Sequence, residues 1–141
     1  MKKLFAVIII FLILIGNVGY NTNFSLLDYF QGEYYAYTST PAGENYIFLG
    51  SCYMNYGKIE NPDEIIGESM KIYNFEPVAG LESLDANIVY TEHLDSGASV
   101  IYAYTDKINR FVKVEDENVN IQIACYDEYS IIGWPLILGS F

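Results

Sequence analysis

Basic side chains are scarce: seven lysines and arginines stand against 18 acids, and Lys2 and Lys3 sit at the extreme N-terminus. Beyond residue 20, five bases (Lys58, Lys71, Lys107, Arg110, Lys113) face all 18 acids, a net charge of −13. Binding a phosphate backbone needs clustered Lys and Arg that release counterions. This domain repels a polyanion, so nucleic acid is excluded as a partner, and an anionic membrane surface repels it too. Histidine is reduced to one, His93, and cysteine to two, Cys52 and Cys125. Three such residues cannot complete the four ligands of structural zinc, so neither a metal nor a cofactor is expected. A Cys–His nucleophile pair needs thiol and imidazole within hydrogen-bond reach. The expected positions disfavour it, with His93 ending a strand beside the Asp95-Ser96-Gly97 turn and Cys125 pointing inward.

Charged residues make up only 18% of the chain and hydrophobic ones 52%, which argues against disorder and for a packed core. What is abundant is tyrosine: 14 Tyr and 8 Phe, beside a single Trp, are many for 141 residues. Aromatic rings suit a half-buried pleated surface, so a β-rich domain is expected.

The N-terminus carries the one long apolar run. Met1-Lys2-Lys3 is a short basic start, and Leu4 to Val18 is nearly all hydrocarbon. Lysines before such a run stay inside, so the rest of the chain is expected to be translocated outward. As a helix the run spans roughly 22 Å, short of the ~30 Å hydrocarbon core, which favours a removed signal peptide. No good small-x-small cleavage site follows, which favours a retained membrane anchor, and no cysteine follows to carry a lipid. The two considerations together favour a tether. The division expected is therefore a signal peptide or membrane anchor over 1–20, in contact with the cytoplasmic membrane, and an extracytoplasmic domain over 21–141, anchored or secreted.

Within that domain, Leu26 to Phe30 reads as a helical turn entering the fold. Glu33 to Thr38 and Tyr46 to Tyr56 are β-prone runs around Pro41 and Gly43, which reads as a hairpin. Asn61 as N-cap, Pro62 at the first position and Asp63-Glu64 in the first turn predict a helix over 61–73. It would turn Ile65, Ile66, Met70 and Tyr73 to one side and Glu64, Glu68 and Lys71 to water. Period-two runs follow at 86–93 and 98–105 around Leu94-Asp95-Ser96-Gly97, then at 110–115, 118–126 and 130–138. In 118–126 the alternation places Val119, Ile121, Ile123 and Cys125 inward and Asn120, Gln122 and Ala124 outward. Pro135 marks an edge or a bulge. The fold class expected is α+β, an antiparallel meander of about five strands packed on one helix and preceded by a hairpin.

The C-terminal run is more particular. Asn118-Val119-Asn120-Ile121-Gln122-Ile123-Ala124, then Tyr126-Asp127-Glu128, then Ile132-Gly133-Trp134-Pro135-Leu136-Ile137 resembles the end of the YwmB family, whose members close with an alternating "VNLQVA" strand, a turn and an "IGTPII" strand. Here Trp134 replaces the Thr, and Phe141 supplies the aromatic end. The resemblance implies an exported protein of spore-forming Gram-positive bacteria with a TATA-box-binding-protein-like fold. It implies no catalytic residues. A minor-groove surface needs Arg and Lys over a concave sheet, which this domain lacks.

Four candidate sites follow from the residues. Tyr35 with Tyr37, and Tyr102 with Tyr104, share strand faces; on neighbouring strands they would form an aromatic platform for a sugar ring or an extended peptide. Cys52 and Cys125 lie on apolar strand faces and could form a disulfide if those strands are neighbours; otherwise each is a buried small hydrophobe. Glu115-Asp116-Glu117 with Asn118, and Glu92 with Asp95, could offer oxygens to Ca²⁺ but match no EF-hand loop. Paired carboxylates could serve an envelope hydrolase, a spacing only the fold can set. With no nucleophile or phosphate motif, the function expected is a non-catalytic binding or interaction module of the cell envelope, its partner an envelope protein or glycan.

Overall fold

The computed structural model describes residues 24–40, 43–51 and 65–137. The N-terminal segment 1–20, Cys52 and the expected cap residues Asn61 to Glu64 lie outside the described residues. The chain enters through a 3-10 turn, Leu26–Asp28, whose N-cap Ser25 accepts the Leu27 amide. Strands β1 (Glu33–Thr40), β2 (Gly43–Ser51) and β3 (Ile65–Tyr73) follow, then helix α1 (Pro77–Ser83). Six further strands complete the described chain: β4 (Asn87–His93), β5 (Ser99–Tyr104), β6 (Val112–Val114), β7 (Glu117–Val119), β8 (Ile121–Cys125) and β9 (Tyr129–Trp134). Seven of the nine described strands form one antiparallel sheet in the order β2-β1-β3-β9-β8-β5-β4, and β6-β7 is a separate two-stranded ribbon. One helix on an antiparallel sheet is an α+β arrangement. No helix among the described residues is long and apolar enough to cross a membrane.

The helix expected over 61–73 is a strand from Ile65 onward. Ile65, Ile66, Met70 and Ile72 fit a helical stripe as well as a strand, but β3 lies between β1 and β9 and is buried on both faces through Met70. A strand covered on both sides has no period-two signature, so periodicity could not separate the two readings. β-branched Ile65, Ile66 and Ile72 then favour the pleated form. The helix starts later. Pro77 occupies its first turn, and Leu81 and Leu84 are buried in the core cluster.

Both faces of the sheet are covered. On one, Leu26, Leu81 and Leu84 pack on Tyr34, Met70, Ile121, Ile123, Ile132 and Trp134. On the other, Val112, Val114 and Val119 of the ribbon and Leu136 and Ile137 after β9 cover Tyr37, Val100, Tyr102, Ala124 and Ile131. This corrects the expected alternation in 118–126: Asn120, Gln122 and Ala124 are buried, not exposed, because the ribbon and the C-terminal segment lie over their face. Gln122 accepts the Ile137 amide at 2.8 Å. Pro135 marks no edge either. It follows β9, a central strand, through a cis peptide bond with Trp134.

Turn chemistry accounts for the hairpins. Between β4 and β5, Gly97 takes φ +90°, a conformation that costs glycine nothing, and Leu94 N–H bonds to the Ala98 carbonyl at 2.8 Å. The β6–β7 turn places Glu115 at φ 50° and Asp116 at φ 68°, the two positive values of a type I′ turn. Asn-Gly suits that turn far better than Glu-Asp. The substitution pair Glu115→Asn with Asp116→Gly is expected to stabilise the domain by about 1 kcal/mol in urea denaturation, by relieving left-handed strain.

Candidate functional site

The expected tyrosine platform does not assemble. Tyr35 and Tyr37 lie on β1, Tyr102 and Tyr104 on β5, and three strands separate them in the sheet. Four strand spacings amount to roughly 19 Å, too far for one ligand ring to touch both pairs. Burial removes two of the rings outright: Tyr37 is 5% exposed and Tyr102 1%, both beneath the ribbon side of the sheet, while Tyr35 and Tyr104 are half-buried. Burial, with Glu92 beside it, pushes the Tyr102 phenol well above its ordinary range.

A different set of tyrosines reaches solvent. β3 ends at Tyr73, which pairs in register with Tyr129 at the start of β9. The β8–β9 turn closes through the Tyr126 amide on the Tyr129 carbonyl at 2.9 Å, which folds Tyr126 back onto Tyr129. The rings of Tyr126 and Tyr129 stack with centroids 4.9 Å apart and planes at 29°, and Tyr73 lies 6.0 Å from Tyr129 at 59°. Tyr73 is 54% exposed and Tyr126 39%. Lys71, two residues before Tyr73 on the same strand face, holds its ammonium 4.3 Å from the Tyr129 centroid and 5.3 Å from that of Tyr73. A side-chain hydrogen bond with Tyr73 raises the Lys71 pKa, with help from the nearby Glu33 charge. Glu33 lies near Lys71, and Asp127 and Glu128 are exposed in the turn between Tyr126 and Tyr129. The surface thus combines apolar ring faces, phenol hydroxyls, one cation and carboxylates within a few residues. Sequence reading missed it because the β3–β9 pairing joins residues 56 positions apart (Tyr73 with Tyr129). The Tyr126-Asp127-Glu128-Tyr129 turn was the available signal.

The second unusual centre is buried. Glu68, expected to face water, is 1% exposed on β3. Its Oε1 accepts the Leu26 amide at 2.9 Å and the Trp134 indole N–H at 2.6 Å. Its Oε2 accepts the Ser25 hydroxyl at 2.8 Å and the Tyr34 hydroxyl. Burial pushes this carboxyl up to about 7; the bonds from Trp134, Leu26 and Ser25 oppose the rise, and Asp28 adds to it. A general acid must reach its substrate within hydrogen-bond distance. Glu68 is sealed from solvent, and both of its oxygens are occupied by the protein's own donors.

Asp28 is the acid near Glu68, and it is exposed on the turn; no second buried carboxylate faces Glu68 among the described residues. The other buried acid among the described residues is Glu92 on β4, which accepts the Tyr102 hydroxyl at 3.3 Å. β3 and β4 are four positions apart in the sheet, roughly 19 Å, whereas paired glycosidase carboxyls stand about 5–9.5 Å apart. His93 is exposed on the edge strand with Nδ1 3.0 Å from the Ser99 hydroxyl. It sits two strands, about 10 Å, from β8, which carries Cys125. Burial raises the Cys125 thiol pKa, the opposite of an activated nucleophile. Cys125 is a free thiol, and the Cys52 half of the suggested disulfide lies outside the described residues. Glu115, Asp116 and Glu117 are exposed in the ribbon turn, and no group of three metal-binding side chains converges among the described residues. Comparison with protein-family models, with curated proteins and with solved structures finds no match to this chain.

Proposed function

We propose that this domain is a non-catalytic binding module of the cell envelope that takes a glycan on the Tyr73–Tyr126–Tyr129 surface. The observation that carries the reading is the exposed, mutually stacked tyrosine group with Lys71 against it. A saccharide ring has an apolar face that stacks on an aromatic ring, and hydroxyls that bond to phenol, ammonium and carboxylate groups. All three lie at this one end of the sheet. The strong negative charge of the domain further favours a neutral ligand over an anionic one. The compartment belongs to the same proposal and rests on the apolar segment after Lys2-Lys3 and on the resemblance of residues 118–137 to YwmB proteins. The TATA-box-binding-protein-like arrangement also belongs to it. What supports that part is a helix followed by the sequential antiparallel neighbours β4, β5, β8 and β9.

The test is a titration of the full-length protein with a neutral N-acetylhexosamine oligosaccharide, followed by tyrosine ring resonances in NMR. Saturable shifts are expected at Tyr73, Tyr126 and Tyr129. Tyr126→Ala and Tyr129→Ala should each weaken binding about tenfold, the loss of one stacking contact. Binding that is unchanged in both variants, or no binding at millimolar saccharide, rejects the reading.

A further inference from the structure

The 3-10 turn carries the chain from the N-terminal segment into the domain, yet it belongs to neither sheet. Two of its polar ties run to one side chain: the Ser25 hydroxyl and the Leu26 amide both end on Glu68. Leu26 is also buried, Phe24 lies edge-on to Trp134 at 6.0 Å, and the Lys107 ammonium stands 5.9 Å from the ring centroid of Tyr29, the C-cap. Glu68 therefore joins three elements at a single carboxyl group: the turn, β1 through Tyr34 and β9 through Trp134. Its four bonded partners among the described residues are two hydroxyls, an amide and an indole, with no lysine or arginine among them. Asp28, on the turn itself, is the charge that acts on it, and Tyr34 is the titratable group that touches it. Helix α1 contributes Leu81 and Leu84 to this cluster, both apolar. Arg110, also buried, donates to the Ile66 carbonyl at 2.7 Å, two residues along β3.

We propose that Glu68 is a proton-controlled latch that holds the Ser25–Asp28 turn on the sheet when protonated and lets it lift away when ionised. The donor set is built for this change. Both N–H groups fall on Oε1, and neither can reverse. Both hydroxyls fall on Oε2, and a hydroxyl can donate or accept. A proton on Oε2 is therefore donated to Ser25 or Tyr34 as that hydroxyl rotates its own proton away, which reverses one hydrogen bond and keeps the other three. Ionisation leaves four donors on the carboxylate but places a charge in an apolar cluster near Asp28, with no described lysine or arginine bonded to it. The least expensive relief is for the turn to open, because that admits water to the carboxylate without disturbing a strand. This device does not depend on the binding surface and stands if that reading fails.

Linkage sets the direction. A carboxyl raised from 4.5 to about 7 in the closed state favours closure fully at low pH, and that preference is lost as pH rises through about 7. With those two values, the opening equilibrium grows on the order of 50-fold between pH 5 and pH 8.

Trp134 is the single tryptophan and bonds directly to Glu68, so its emission reports the latch. The full-length protein in non-ionic detergent is titrated from pH 5 to 9, with hydrogen exchange of the Leu26 amide measured alongside. The expected result is an emission transition centred near pH 7, with Leu26 protection falling by more than tenfold after correction for base-catalysed exchange. Glu68→Gln keeps one carbonyl acceptor and offers its NH₂ to the two hydroxyls, so it should remain latched and flat across the range. A flat titration in the unmodified protein overturns the proposal. So does a transition that persists in Glu68→Gln, which would assign the proton to another group. If Glu68→Gln does not fold, exchange at Leu26 in the unmodified protein decides: constant protection from pH 5 to 8 overturns the proposal, and a fall confined to the turn amides supports it.

Discussion

Glu68→Ala is expected to destabilise the protein by about 3–5 kcal/mol in urea denaturation at pH 6, the largest loss from any single polar substitution in the described structure. Removing the carboxyl orphans four donors at once: the Ser25 and Tyr34 hydroxyls, the Leu26 amide and the Trp134 indole. A buried unsatisfied donor costs about 1–3 kcal/mol, but the four do not add in full. The two hydroxyls can rotate toward each other or a water, and the turn can move. The substitution also leaves a cavity beside Leu26 and Trp134, which adds to the loss. Glu68→Gln at the same pH should stay within about 1 kcal/mol of the unmodified protein, since it preserves volume and bonding partners. The contrast between the two variants separates lost hydrogen bonding from the mere presence of a substitution in the core. Equal losses for Ala and Gln would mean that the carboxyl itself, not its acceptor role, holds the turn.

The second large effect is expected at Asn120→Asp, at about 3–4 kcal/mol at pH 7. Asn120 separates β7 from β8 and is wholly buried. Its Nδ2 donates to the Thr105 and Ile108 carbonyls at 2.8 and 3.1 Å, and its Oδ1 accepts the Thr105 amide at 2.9 Å. Every polar atom of that side chain is satisfied, and together they pin the loop after β5 to the ribbon. Aspartate puts an oxygen against two carbonyl oxygens, so it folds only with a proton that the unfolded chain releases near its usual pKa. Its folded pKa must rise, and stability is therefore recovered in part as pH falls toward 5 and lost again as pH rises. Asn118→Asp, two residues away on the exposed face of the ribbon, serves as the control and should stay within about 0.5 kcal/mol. A loss at Asn120→Asp no larger than at Asn118→Asp would show that the loop is held by its backbone instead.

Glu68 and Asn120, with Gln122 beside the latter, mark the limit of what local pattern shows. Asn120 and Gln122 occupy the outward phase of a clean alternation, and outward normally means wet. Glu68 sits three residues before Lys71 and looked like one face of a solvated helix. All three are buried because other parts of the chain fold over them: the β6–β7 ribbon and Leu136-Ile137 on one face, the N-terminal turn on the other. A polar residue in a strand is interpreted by what covers it, and that cover comes from residues far away in sequence.

What the sequence determined by itself is local. Its Tyr- and Ile-rich alternating runs place β4, β5 and β9 close to where they are observed, while the run 118–126 is divided at Asn120 between β7 of the ribbon and β8 of the main sheet. Gly97 sets the turn between β4 and β5, because turn backbone geometry is decided by the residues that occupy it. The tertiary structure decided what depends on long-range pairing. It made Ile65–Tyr73 a strand by setting it between β1 and β9, and it separated Tyr35 and Tyr37 from Tyr102 and Tyr104 by three strands. It also brought Tyr73 onto Tyr129, and closed Ser25, Tyr34 and Trp134 around Glu68. The physical reason is common to all of these. Strand order and the burial of a given face minimise the free energy of the whole assembled sheet, whereas periodicity records only the preference of each strand taken alone.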